Sequence, residues 1–103
     1  MERLCFFIEL EPGAEAEYDR RHHELWPEMH EALVAAGYTN YSIFRRGTTV
    51  VGYAECVPDI ATVMAKMGAA EVTPRWNASF ASVIKKLTDE DGKLLGAEEV
   101  WHL

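Results

Sequence analysis

The sequence predicts an α+β fold in which a four-stranded antiparallel sheet carries helices on one face. Three observations predict this class. Apolar or alternating runs mark strands near both ends and in the middle of the chain, helical spacing marks the segments between them, and a turn signal joins the two middle strands. The predicted order is strand, helix, strand, strand, helix, strand, which is the order of the ferredoxin-like β-α-β-β-α-β sandwich.

The first strand and helix are marked by a change of periodicity. The compact apolar run Leu4–Leu10 predicts a buried strand, and Pro12-Gly13 ends it. Residues 14–36 predict a helix that breaks or kinks just before Pro27, and Gly37 suits its C-terminal cap. Apolar residues at three- and four-residue spacing form a stripe that should face the sheet: Leu25, Met29, Leu33 and Ala36.

The two middle strands are predicted to form a hairpin. Tyr38–Phe44 alternates aromatic and polar residues, and Thr49–Cys56 resumes strand character after the turn signal Arg45-Arg46-Gly47. Short strands joined by a glycine-containing turn are expected to pair antiparallel.

The second half of the chain predicts more helix and a last strand. Pro58-Asp59 opens one helical region, another follows Pro74, and residues 89–92 form a loop. Residues 97–103 are expected to form the terminal strand. The apolar positions that define the helical regions are Ile60, Val63, Met64 and Met67 in the first, and Trp76, Phe80, Val83, Ile84 and Leu87 in the second.

The face of the sheet away from the helices needs cover. Five apolar or aromatic strand residues cannot all point at the helices, so we expect a symmetric homodimer in which two sheets pack face to face. These residues are Phe6, Ile8, Tyr41, Ile43 and Tyr53.

Composition restricts the class of protein. The chain has 103 residues, which predicts one domain over residues 1–103. A formal net charge of −7 leaves no basic stripe for nucleic acid. No apolar run approaches the roughly 20 residues of a membrane-spanning helix, and the N-terminus lacks the pattern of a signal peptide. Cys5 and Cys56 lie in strand-like segments without a CxxC pair, which favours reduced thiols in the cytoplasm.

The most informative stretch for function is Tyr-Asp-Arg-Arg-His-His-Glu-Leu-Trp-Pro at residues 18–27. Tyr18, His22 and Trp26 are spaced four apart, so a helix would place them on one face. An imidazole donates and accepts protons near neutral pH, and a phenol is a second proton donor. The alternative is a solvated helix face, but a tryptophan beside a helix break favours a shaped pocket.

Trp76 is the second candidate, since an indole can lie against the C–H face of a sugar while its N–H donates. A core position explains Trp76 equally well from the sequence. Asn77 beside it can bind a hydroxyl or cap a turn. His23 and His30 could be read as metal ligands, but no HExxH motif or paired histidines at i and i+4 support this, and we predict no metal site.

The chain resembles the L-rhamnose mutarotase family over nearly its whole length. The resemblance is carried by Glu17-Tyr18, by Arg21-His22 with Leu25-Trp26-Pro27-Glu28, by Asn40-Tyr41-Ser42-Ile43, and by the ending Glu99-Val100-Trp101-His102. The Arg-His-x-x-Leu-Trp-Pro-Glu block is the most specific of these. The family is similar to the fold predicted above, a ferredoxin-like sandwich that dimerises through its sheets.

The resemblance implies exchange between the two pyranose anomers of a 6-deoxyhexose, most simply L-rhamnose, without metal or cofactor. It implies His22 as the principal acid/base, Tyr18 as its partner, and Trp76 as a sugar contact. The family usually has two tryptophans in succession where this chain has Trp76-Asn77, its hairpin turn is usually longer and acidic, and residues 88–92 replace its usual Asn-Pro-Asp-Asn-type loop. These departures keep L-fucose or another deoxysugar open as the substrate.

The chemistry of anomer exchange also fits the residues themselves. The C1 hydroxyl loses a proton, the ring oxygen gains one, and the aldehyde recloses on its other face, which an acid/base pair can accelerate. Two other classes remain open: a small oxygenase or haem-binding protein of the dimeric α/β-barrel type, and a non-catalytic sugar-binding module in which Trp26 and Trp76 hold the ligand.

Overall fold

A computed structural model describes residues 1–103 as five strands and four helices. In chain order they are β1 (Glu2–Leu10), α1 (Glu15–His23), α2 (Pro27–Ala36), β2 (Tyr38–Arg46), β3 (Thr49–Cys56), α3 (Ile60–Ala69), α4 (Val72–Ser79), β4 (Ile84–Lys86) and β5 (Gly96–Ala97). None of the helices exceeds 10 residues, so none has the length to cross a bilayer.

The sheet is antiparallel, with the order β2-β3-β1-β4, and β5 also pairs with β1. The predicted hairpin is confirmed, since Phe44 pairs with Val51 and Ile43 with Gly52. This is the predicted ferredoxin-like α+β arrangement.

The fourth strand differs from the prediction. Two short strands share the free edge of β1: β4 pairs near Leu10, and β5 pairs with Cys5 and Phe6. The expected strand over residues 97–103 is wrong beyond Ala97, because the following residues make no ladder hydrogen bonds and are exposed. Side chains hold this tail instead, with Arg3 donating to Glu99 at 3.2 Å and contacting His102 at 3.0 Å.

The predicted first helix is two helices. α1 ends at His23, and Pro27 is the first residue of α2. Proline lacks an N–H but is tolerated at the first helical position, where that group has no partner in the helix. The predicted break before Pro27 is therefore confirmed. α1 also places acidic residues in its first turn and basic residues in its last, which suits the helix dipole.

α3 begins after Asp59, whose side chain accepts a hydrogen bond from the Thr62 N–H at 2.7 Å.

The helix predicted after Pro74 ends earlier than expected. α4 ends at Ser79, so the prediction that Val83, Ile84 and Leu87 lie on a helix is wrong. Turn hydrogen bonds tighten the chain after Ser79, and Ile84 then pairs with Leu10 in the sheet.

The two faces of the sheet have different surroundings. Alternate residues of β1 face the helices and are buried: Leu4, Phe6, Ile8 and Leu10. On the other face Phe7 is 40% exposed and Phe44 is 65% exposed. The sequence indicated that five strand residues cannot all point at the helices, and one of them, Tyr53, lies on the other face. The other four line a cavity on the helix side: Phe6, Ile8, Tyr41 and Ile43. We call the outward side chains Cys5, Phe7, Phe44, Val51 and Tyr53 the outer face.

Gly37 caps α2 in a left-handed conformation, with φ of 109°, as the sequence predicted. A Cβ at this position would lie 2.1 Å from the Val57 carbonyl oxygen. We therefore expect Gly37→Ala to lower the free energy of unfolding by about 3 kcal/mol, because backbone strain and a backbone clash combine.

The matched control is Gly13→Ala, because Gly13 has φ of 89° but open space around the added Cβ. It should cost only the strain of about 1–2 kcal/mol. Urea denaturation of both variants measures the difference, and equal losses would show that the Val57 contact does not matter.

Candidate functional site

A cleft lies between the helices and the sheet. It has two adjoining lobes that share lining residues, among them His22, Tyr41 and Trp76. The outer lobe, of about 400 Å³, lies between α2 and β2 and includes the exposed residues Val34 and Asn40. The inner lobe, of about 420 Å³, lies between α1, α3, α4 and the sheet. The cleft is therefore largely apolar, with a few polar groups in its walls.

Tyr18 and His22 line the inner lobe together. They lie one helical turn apart on α1, and their ring centroids are 4.4 Å apart. Both rings pack against Phe80, at 5.8 Å for Tyr18 and 5.6 Å for His22. The spacing in the sequence thus brings a phenol and an imidazole to one wall of one cavity.

The hydrogen bond of His22 assigns its tautomer. Its Nδ1 lies 3.0 Å from the Tyr18 carbonyl oxygen, which can only accept. Nδ1 therefore carries the proton, and in the neutral ring Nε2 is left as an acceptor. Burial lowers the pKa of His22 from its ordinary 6.5, against the opposing effects of the Tyr18 carbonyl and Asp19. The neutral imidazole, with a free Nε2, is the form favoured near neutral pH.

The phenol of Tyr18 stays protonated, whereas the neutral His22 ring offers a proton acceptor. Burial, with a smaller contribution from the charge of Asp19, raises the pKa of its phenol to about 12. Its hydroxyl has no hydrogen-bond partner within the chain. Asp19 is turned away to Arg45, which donates two hydrogen bonds to it at 2.7 and 2.6 Å. Tyr18 therefore presents a protonated hydroxyl in the same lobe that His22 lines.

α4 supplies the adjoining wall. Trp76 is only 9% exposed and lines both lobes, with its ring edge-on to His22 at a centroid distance of 5.7 Å. Asn77 lines the inner lobe beside it. Both residues that the sequence suggested on this helix thus border the cavity that contains Tyr18 and His22.

Trp26 lies elsewhere. It stands in the link between α1 and α2 and does not line either lobe. Its ring packs edge-to-face against Trp76 at 5.1 Å, on the side of Trp76 away from the cleft. The expectation that Trp26 continues the face formed by Tyr18 and His22 is wrong, because α1 ends at His23 before that turn is complete.

The remaining histidines do not meet in one site. His30 lines the outer lobe, whereas His23 is exposed and borders neither lobe. No three side chains among the His, Cys, Asp and Glu residues are grouped so that they could hold a metal ion.

Two polar groups of the cleft were not identified as site residues from the sequence. Tyr38 and Tyr41 line both lobes, with ring centroids 5.0 Å apart. Burial raises the pKa of both phenols, to about 12 for Tyr38, so they remain hydroxyl donors. Tyr41 also packs edge-on against Phe6, which lies over Gly52, where a Cβ would be 2.1 Å from the ring.

A strand irregularity explains why these tyrosines were missed. Residues three apart on a regular strand face opposite sides of the sheet. Asn40 has φ of 44°, and the register with β3 shifts between Thr39 and Ser42. This bulge turns Tyr41 to the same side as Tyr38. An asparagine between two tyrosines is the only signal of it in the sequence.

Comparison with known proteins agrees over the full length of the chain. The family model described as L-rhamnose mutarotase matches residues 3–103. A protein named L-rhamnose mutarotase from Listeria monocytogenes is 38% identical over 105 residues, with 100% of this chain and 99% of the relative covered. Another from Burkholderia ambifaria is 35% identical with the same coverage.

Solved structures agree as well. The crystal structure of L-rhamnose mutarotase from Formosa agariphila superimposes with a TM-score of 0.80 and 26% identity, covering 100% of this chain and 99% of the other. Tetracenomycin F2 cyclase from Streptomyces glaucescens gives a TM-score of 0.70 at 15% identity, covering 100% and 97%, which is a likeness of fold alone. With the family model matched from residue 3 to the last residue, the chain belongs to the L-rhamnose mutarotase family, whose activity is that of an isomerase.

Proposed function

We propose that the protein interconverts the α and β pyranose anomers of a 6-deoxyhexose, with L-rhamnose as the substrate, by opening and reclosing the ring. Membership in the family supports the reaction type. The observation that carries the mechanism is the pairing of two unpartnered groups in one cavity, the Nε2 of His22 and the hydroxyl of Tyr18.

The tautomer of His22 suggests which proton each residue moves. Nε2 of His22 takes the proton from the C1 hydroxyl, and the Tyr18 hydroxyl gives its proton to the ring oxygen as the bond between C1 and that oxygen breaks. The open aldehyde rotates about its C1–C2 bond, and the ring oxygen attacks the other face of the carbonyl. Tyr18 recovers its proton from that oxygen, and His22 returns a proton to the new C1 hydroxyl.

The charges that form during this step are favourably placed. Ring opening leaves an imidazolium on His22 and a phenolate on Tyr18, with ring centroids 4.4 Å apart. In a largely apolar cavity such opposite charges attract more strongly than in water. The raised pKa of Tyr18 means that the phenolate is short-lived and recovers its proton on closure.

The other lining groups fit the role of holding the sugar. Trp76 offers an aromatic surface for the C–H groups of the ring. The hydroxyls of Tyr38 and Tyr41, which have no partner within the chain, can bind sugar hydroxyls from the sheet side, and Asn77 can do so from α4. We assign Trp26 a supporting position behind Trp76.

The pH dependence follows from the direction of the His22 shift. The base form of His22 is the neutral ring, which is lost as the pH falls through its pKa. Since burial lowers that pKa below 6.5, activity should stay level down to about pH 6.5 and decline only at lower pH. NMR exchange rates from pH 4.5 to 8.5 measure this, and a decline that begins above pH 7 would contradict the assignment of His22 as the base.

The direct test of the function is NMR saturation transfer between anomers on a panel of sugars. L-rhamnose should be exchanged fastest, with L-fucose slower. Faster exchange of L-fucose would make L-fucose the substrate. This outcome is included because Asn77 stands where the family usually has a second tryptophan. Binding without acceleration of any deoxysugar would instead identify a sugar-binding module. A Soret band in the purified protein would favour a haem-binding function.

We also propose that the protein is a cytoplasmic homodimer formed through the outer face. Phe7 and Phe44 leave apolar surface uncovered there, and each is paired with Val51 of β3, so the three residues form one row across the outer face. The tail beside β1 adds exposed apolar residues, with Trp101 75% and Val100 89% exposed. Both cysteines are unpaired, which suits a reducing compartment.

A charge on the outer face should separate the dimer. Phe7→Glu is expected to give a monomer, because two copies of the carboxylate would be buried against each other. Val57→Glu is the control, since Val57 is similarly exposed at 47% but lies outside the strands. Light scattering with size-exclusion chromatography measures the mass, and a Phe7→Glu variant that remains dimeric would place the interface elsewhere.

A further inference from the structure

Helix α1 carries both Tyr18 and His22, yet little of its surface is buried. Tyr18 is its one buried residue. α4 packs against α2 and α3, whereas α1 makes no extended packing contact with any other helix or strand. Since packing of an apolar face is what usually holds a helix in place, the position of α1 depends on the few side chains that connect it to its neighbours.

Arg21 connects α1 to the end of α4. Its Nη1 donates to the carbonyl of Ser79, the last residue of α4, to which no backbone N–H donates. A helix leaves its last carbonyls without partners inside the helix, and its C-terminus carries partial negative charge, so a guanidinium is a favourable partner there. Glu17 accepts from the Arg21 Nε at 2.6 Å and holds the guanidinium in place. The Arg21 side chain is only 26% exposed.

The same guanidinium lies over the ring of Phe80. Its central carbon is 5.2 Å from the ring centroid, within the range of a cation–π contact. Tyr18 and His22 both pack against this ring, and Trp76 packs against it at a centroid distance of 4.7 Å. Arg21 therefore contacts the aromatic ring that all three site residues share, although Arg21 lines neither lobe of the cleft.

We propose that Arg21 is a positioning residue that holds α1 against α4, and with it the acid/base pair against the wall formed by Trp76. The inference rests on the proposed function, which assigns that pair to Tyr18 and His22. Because a shift of about 1 Å in a reacting group can cost up to about 10²-fold in rate, loss of Arg21 should appear in kcat. Sugar binding should change little, since α4 and β2, which carry the groups proposed to hold the sugar, pack against elements other than α1.

The test compares Arg21→Met, which removes every donor but keeps an unbranched side chain, with Arg20→Met as the matched control. Arg20 lies next to Arg21 on α1, but its hydrogen bonds go to Glu17 and Glu24 and none reaches α4. Rates are measured by NMR saturation transfer over a range of L-rhamnose concentrations. Arg21→Met should lower kcat about 10-fold and leave KM within about twofold of the wild type. Arg20→Met should leave both within about twofold.

Arg21→Lys is a second variant of the same position. It keeps the positive charge but has no planar guanidinium to reach the Ser79 carbonyl and Glu17 together, so kcat should fall about threefold with KM unchanged. Arg21→Lys decides alone, by the same criteria, if Arg21→Met does not fold. An unchanged kcat in Arg21→Met overturns the inference. So does a rise in KM that exceeds the fall in kcat, which would place the role of Arg21 in sugar binding, and so does an equal loss for Arg20→Met.

A structural readout is independent of catalysis. The NOE between the ring protons of His22 and Phe80 reports how close α1 lies to the end of α4, since the two ring centroids are 5.6 Å apart. This NOE should weaken in Arg21→Met and stay unchanged in Arg20→Met. If the wild type accelerates the exchange of no sugar, the proposed function fails, while the NOE still decides whether Arg21 positions α1. An unchanged NOE in Arg21→Met overturns the inference whatever the rates.

Discussion

His22→Ala is expected to lower the rate of anomer exchange by about 10²–10⁴-fold, the usual contribution of a positioned acid/base group. The variant removes the Nε2 acceptor, and no other imidazole lies beside Tyr18 in the inner lobe. Sugar binding should be affected much less, since Trp76, Tyr41 and Tyr38 remain in the cleft. The effect should therefore appear in kcat, measured by saturation transfer at saturating L-rhamnose.

The control for this experiment is His23→Ala. His23 is exposed and borders neither lobe, so its removal should leave kcat within about twofold. Circular dichroism should show the fold of both variants intact. If His22→Ala retains most of the wild-type rate, the proton at C1 is handled by another group and the mechanism proposed here is wrong.

Tyr18→Phe is expected to lower kcat by about 10²-fold, at the lower end of the range for a general acid. Phenylalanine keeps the packing against His22 and Phe80 but cannot give a proton to the ring oxygen. Because the Tyr18 hydroxyl has no partner within the chain, its loss should not destabilise the fold. A large loss of rate with an unchanged thermal midpoint is the expected combination.

Tyr53→Phe is the matched control, since Tyr53 lies on the outer face, where its hydroxyl donates to Glu55 at 2.9 Å. It should leave exchange unchanged. Equal rates for Tyr18→Phe and the wild type would show that water or another residue protonates the ring oxygen, and would leave Tyr18 with a packing role only.

The sequence was informative where local rules decide the structure. The break before Pro27, the cap at Gly37 and the hairpin around residues 45–47 each follow from backbone chemistry, and all three are present. The pairing of Tyr18 with His22 follows from helical spacing alone. These features depend on residues close in sequence, so the sequence alone predicts them.

The misplaced elements depend on contacts between distant residues. Residues 84–86 become a strand because the edge of β1 near Leu10 is free to pair, and helical spacing does not reveal that edge. Trp26 lies outside the cleft because α1 ends one residue after His22. Tyr41 lines the cleft because the bulge at Asn40 reverses the alternation of side chains along β2. Each of these outcomes is settled by tertiary structure rather than by local preference.

The close approach of Phe6 to Gly52 has a consequence for how large a ligand the protein can admit. The phenyl ring of Phe6 lies directly over the backbone of β3, in the space that a side chain at position 52 would occupy. A methyl group there would lift the ring toward the opening and displace Tyr41, which leans on its edge. The absence of a side chain at Gly52 therefore keeps Phe6 low in the cavity and sets the depth available to a ligand, although Gly52 itself does not contact that ligand.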